Sequence, residues 1–143
     1  MSVLEECEMI LGEDVEDDSH KAEICRKAVA KIGVLAAAAR KICEEAKSDG
    51  DGDPVRTLLL FCQVNSLLSG VDAVHRLLRQ AIPEADEALR QLFAVKKGPY
   101  RNVNNDVETQ IAYSEPVSWV VVPALKVIVH TLKDLEDLAS KPK

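Results

Sequence analysis

Aromatic side chains are scarce in this chain. Two phenylalanines, two tyrosines and one tryptophan stand among 143 residues. A core with so few large rings must be filled by Ala, Val, Leu and Ile, and small aliphatic surfaces let helices approach closely. Sequence patterns that carry chemistry are also missing. No G-x-S-x-G, G-x-G-x-x-G or G-x-x-x-x-G-K occurs, which removes the nucleophile elbow, the dinucleotide fingerprint and the phosphate loop. No C-x-x-C occurs among Cys7, Cys25, Cys43 and Cys62. The first 18 residues carry no cation and are interrupted by Glu5, Glu6 and Glu8, unlike a secretory leader. The uncharged stretch Pro116–Leu125 is about half the ~20 residues a membrane span needs. These absences point to a soluble, cytoplasmic protein with no membrane span.

The net charge is −6 and unevenly spread: residues 1–53 hold 14 acids and 7 bases. Neither part is basic enough to neutralise several phosphates, so nucleic acid is not the expected partner. The chain divides into a short acidic N-terminal segment, residues 1–18, and a single helical domain, residues 19–143. Ser2-x-x-Glu5 resembles a capping box, so a short helix ending at Gly12 is expected there.

What is present is helical periodicity. Ala22, Cys25, Val29, Ile32, Ala36, Ala39, Cys43 and Ala46 recur at alternating steps of three and four. Ala28, Leu35 and Ile42 widen the stripe, as in a bundle rather than a two-stranded coil. Asp53-Pro54 then reads as an N-cap followed by the first helical position. The second seam is Leu60, Val64, Leu67, Val71, Val74, Leu78 and Ala81, flanked by Phe61, Leu68, His75 and Ile82. After Pro83 an apolar face runs through Ala85, Leu89 and Leu92 to a stop at Lys96-Lys97-Gly98-Pro99. Val103, Val107 and Ile111 predict a short helix. The last seam is Val121, Leu125, Ile128, Leu132, Leu135 and Ala139. Its start is contested, because Val120-Val121-Val122 favours strand and Pro123 breaks a helix. A kinked helix, or one beginning near Pro123, is the expectation. The fold predicted is all-α: an antiparallel bundle of four main helices plus one or two short ones.

Asp49, Asp51 and Asp53 occupy the first ligand positions of a calcium loop. That loop needs Gly and Glu where Pro54 and Leu60 stand, so an acidic loop is the better reading. Among the histidines, His75 has Asp72 three residues before it and His130 has Asp134 four after. The ligand count is too low for a di-metal bundle. Cys25 and Cys43 are roughly 27 Å apart along one helix, beyond the ~7 Å limit for a disulfide. The cysteines are expected to be reduced and mostly buried. No catalytic residue, metal site or cofactor is therefore assigned.

The surface features that remain are clustered. Lys96, Lys97, Tyr100, Arg101 and Trp119 fall in or beside one irregular stretch, and Trp, Tyr and Arg dominate binding hot spots. They are the candidate protein-binding residues. Leu59, Ile24 and Val129 lie off the main seams and offer a face for a homodimer. The expected function is a non-enzymatic interaction module or adaptor for a protein partner. The alternatives are a carrier holding an apolar ligand between helices, or a small enzyme subunit.

Three stretches resemble the N-terminal helical domain of cyclase-associated proteins. They are Ala46-Lys47-Ser48 before a polar loop and Leu58-Leu59-Leu60, then Ser118-Trp119-Val120-Val121-Val122 before Pro123, and Gly98-Pro99-Tyr100. The resemblance covers the middle two-thirds of the chain. In that family the Gly-Pro-aromatic turn follows the Trp-Val segment, whereas here it precedes it, and the family's Phe-Tyr-Thr-Asn run is absent. The family binds actin–cofilin assemblies, so the resemblance implies a cytoskeletal partner. The Ala-rich seams also resemble the talin and vinculin class of bundles. No functional residue is carried over from either.

Overall fold

The computed structural model describes residues 18–47, 53–100 and 116–140. These residues are helical with short turns, and no strand occurs among them. Three helices are long: α1 (Asp18–Lys47), α2 (Pro54–Arg79) and, after two short ones, α5 (Val117–Ala139). Between α2 and α5 come α3 (Ala85–Ala88), a 3₁₀ turn (Arg90–Leu92) and α4 (Phe93–Lys96).

The start of α2 follows its sequence signal. The Asp53 carboxylate accepts from the Val55 and Arg56 amides at 3.0 and 3.4 Å, and Pro54 takes the position where no amide is needed. The Thr57 hydroxyl adds a bond to the Asp53 carbonyl at 3.0 Å. Asp53 is thus a helix cap; Asp49 and Asp51 lie outside the described residues, as do Cys7, the capping box at Ser2 and the helix expected around Val103–Ile111.

α1 and α2 meet where α2 carries no side chain. A Cβ placed on Gly70 would come within 2.6 Å of Leu35 Cδ2, so the missing side chain is what admits Leu35. Nearer the opposite ends, the Arg56 guanidinium donates to the Glu45 carbonyl. α5 packs on both helices through Val121, Leu125, Ile128, Leu132, Leu135 and Ala139, all buried as expected. On α1 the seam residues Cys25, Ile32, Ala39 and Ala46 are buried, as are Ala28, Leu35 and Ile42 of the widening column, while Val29, Ala36 and Cys43 are half-buried and Ala22 is exposed. Ile24, expected on the surface, is 1% exposed, and Val129 is half-buried. The reason is that α1 faces two long neighbours, so its apolar arc is wider than one seam.

α5 begins at Val117, six residues before Pro123. The β-branched run is helical because Val121 and Val122 fill the core. Pro123 is exposed, and it leaves the Trp119 carbonyl without its usual amide partner on the side facing water. The run closest to a membrane span is α2 rather than Pro116–Leu125. Val55–Arg79 is long and apolar enough by length and composition, yet 56% of its most apolar window is buried inside the protein.

The segment after Pro83 departs furthest from expectation. A continuous helix to Lys97 is replaced by short pieces. Leu89 and Leu92 donate to carbonyls three residues back, Asp86 and Leu89, at 3.3 and 3.0 Å, the tighter winding of a 3₁₀ turn. Ala85 and Leu92 are fully buried, while Leu89 is only half-buried. Polar tethers hold the segment instead: Asp86 Oδ1 sits 2.7 Å from His75 Nε2, and Lys96 pairs with Asp72.

Candidate interaction surface

The five residues singled out from the sequence do not form one site. Tyr100 is 3% exposed. Its ring stands edge-on to Phe61, centroids 5.4 Å apart at 78°, and its hydroxyl donates to the Val120 carbonyl at 2.6 Å. Burial pushes its hydroxyl up to about 12. Tyr100 is therefore a structural pin between α2 and α5, and burial removes it from any contact surface. Lys96 is also engaged internally, with Asp72 of α2. Lys97 lies over the Phe93 ring, 4.2 Å from its centroid. Arg101 falls outside the described residues.

Trp119 is different. It is 71% exposed, the most exposed large apolar residue among those described. Val55, Leu58 and Leu59 at the start of α2 are also exposed. Tyr100 relates the two groups. It touches Phe61, just after Leu59, and Val120, just after Trp119. The start of α2 and the start of α5 therefore lie at the same end of the molecule, each showing apolar side chains to water.

The α2 residues had a signal that the seam obscured. Leu58, Leu59, Leu60 and Phe61 are consecutive, and one helix face cannot hold four neighbours 100° apart. Leu60 and Phe61 face in, leaving Leu58 and Leu59 out. Phe93 is the same case beside buried Leu92, and it lines an open groove of about 440 Å³ with Leu89, Asp86, Arg90 and Lys96.

The histidines and cysteines among the described residues are spread over the three long helices. No three His, Cys, Asp or Glu side chains there are placed to hold a metal ion. His75 is taken by Asp86, and His130 stands 3.7 Å from Asp134. Cys25 is buried and its thiol is raised by desolvation, Cys43 is half-buried, and Cys62 is exposed, against the expectation of mostly buried thiols. Comparison with known protein families, with characterised proteins and with solved structures finds no match.

Proposed function

We propose that the chain is a non-enzymatic interaction module, an antiparallel helical bundle that binds a protein partner at the end marked by Trp119. The bundle arrangement is supported by paired contacts that run in opposite chain directions, Leu35 with Gly70 and Glu45 with Arg56. Ala39 and Cys43 of α1 line a common groove with Leu125 and Val129 of α5. The observation that carries the binding reading is the exposure of Trp119. A lone tryptophan left in water on a protein with few aromatics is costly unless something covers it, and tryptophan is the commonest anchor of protein interfaces. Val55, Leu58 and Leu59 are exposed as well, at the start of the neighbouring α2. The adjacent α4 segment adds Lys97 stacked on Phe93.

The test compares wild type with Trp119→Ala and Leu59→Ser as baits in extract of the native cell, with partners identified by mass spectrometry. Both substitutions are at exposed positions, so far-UV circular dichroism should be unchanged. Partners that bind wild type should be lost with Trp119→Ala and reduced with Leu59→Ser. Identical partner sets for all three baits would sink the proposal. Co-sedimentation with actin filaments is the direct trial of the cytoskeletal reading.

A further inference from the structure

α2 presents an uncharged face to water. Val55, Leu58, Leu59, Cys62, Ser66 and Ser69 are all exposed. At about 100° per residue they fall within one arc of roughly 100°. The face is about 21 Å long, and none of the six is charged. Its bulk is unequal. Val55, Leu58 and Leu59 occupy the half toward the start of the helix, the two serines the half toward its end, and Cys62 stands between them. Val34 of α1 is exposed at the level of Ser69, because its neighbour Leu35 abuts Gly70.

Such a face is complementary to itself reversed. A two-fold axis at Cys62 sets Val55 against Ser69 of a second copy and Leu58 against Ser66, and each pair occurs twice. Leu59 then meets Asn65, which is half-buried. Large side chains enter where the opposite helix carries small ones, so the axes can approach closely. A parallel pairing would set leucine on leucine and leave a void between serines. Charge favours the same face. Two copies of a chain of net charge −6 repel one another, and these six residues add nothing to that repulsion.

We propose that two copies of the chain pair antiparallel through this face of α2. The face is one helix wide, so each copy buries less than the ~800 Å² of a standard interface. The dimer is therefore weak and reversible, half-formed at about 10–100 µM. It does not use Trp119. On the reading that a partner binds at Trp119, pairing offers that partner two such ends, and Leu59→Ser lowers capture through lost avidity.

Sedimentation velocity of the purified chain tests this, over about a hundredfold range of concentration around that midpoint. The mass should rise from one chain to two. Ser66→Glu is at an exposed position and sets a carboxylate against Leu58 of the second copy, so it should weaken association about tenfold or more. Trp119→Ala should leave association unchanged, whatever it does to partner capture. Direction is read by cross-linking with copper phenanthroline, which takes two electrons from two thiols and leaves a disulfide. Leu58→Cys and Ser66→Cys chains, each also carrying Cys62→Ser, are mixed in equal amounts and analysed by peptide mapping. In the reversed pairing position 58 faces position 66, whereas like positions stand about 12 Å apart, beyond the ~7 Å limit for a disulfide. The 58–66 disulfide should exceed either symmetric product about tenfold, against about twofold for random pairing. A chain that stays monomeric, full association in Ser66→Glu, lost association in Trp119→Ala or a random disulfide yield overturns the proposal.

Discussion

The three long helices and the segment from Ala81 to Tyr100 are built by different means. α1, α2 and α5 are joined through continuous aliphatic seams, in which Ile32, Leu68, Ile128 and their neighbours are sealed from water. Ala81–Tyr100 buries isolated residues, Ala85, Leu92 and Tyr100, and is otherwise held by named polar contacts: His75–Asp86, Asp72–Lys96 and Tyr100–Val120. A seam distributes its stabilisation over many small contacts. A tethered segment depends on a few, and each can be removed singly. Both regions leave apolar side chains in water: Val34, Val55, Leu58, Leu59 and Trp119 on the long helices, and Phe93 beside buried Leu92 in the short turns.

The sharpest trial of this contrast truncates one equally buried side chain in each region. Ile128 and Leu92 are both fully buried. Ile128→Ala should cost about 4 kcal/mol, because three long helices cannot close the cavity. Leu92→Ala should cost about 2 kcal/mol, since short turns relax into the space. Urea unfolding of both variants measures this, and equal losses would break the distinction.

A smaller effect is expected at the pin between the regions. Tyr100→Phe removes the hydroxyl that bonds the Val120 carbonyl and should cost about 1–2 kcal/mol. It also carries a pH signature. The folded hydroxyl is raised from 10.0 to about 12 by burial, so the unfolded chain loses this proton first. Wild-type stability should therefore fall as pH rises from 10.0 towards about 12, beyond whatever other groups contribute. The Tyr100→Phe chain lacks that component, so the gap between the two stability curves should narrow across this window. A constant gap would mean that Tyr100 is not buried in solution.

The smallest effect refines the seam itself. Thr131 is fully buried on α5, and its hydroxyl has no hydrogen-bond partner among the described residues. Thr131→Val exchanges that unsatisfied oxygen for a methyl of nearly the same volume. It should stabilise the protein by about 1 kcal/mol, visible as a higher urea midpoint with unchanged slope. A loss of stability would show that the hydroxyl is bonded after all.

How far the sequence reaches can be followed residue by residue. The α2 and α5 seams were legible, as was the Asp53-Pro54 start, because helical period and capping are properties of a short stretch of backbone. On α1 the burial of Ile24 and the exposure of Ala22 were not, since Ala, Ile and Val occur on several of its faces and only its neighbours choose among them. The break-up of the helix after Pro83 was not legible either. Its residues suit a helix, and the tethers that compete with it come from Asp72 and His75 on another element. The candidate site suffered most. Lys96, Lys97, Tyr100 and Trp119 are close in sequence, and nothing local says which will turn inward.

By itself, then, the amino-acid order determined an all-helical protein of aliphatic seams, with caps and breaks near Asp53 and Pro83. That much follows from period, propensity and the chemistry of single turns. Tertiary packing decided that Tyr100 is sealed and Trp119 is not. A ring is buried only when two other elements leave it a slot and an acceptor, here Phe61 and the Val120 carbonyl. Those partners lie 39 and 20 residues away along the chain, a distance over which local sequence carries no information.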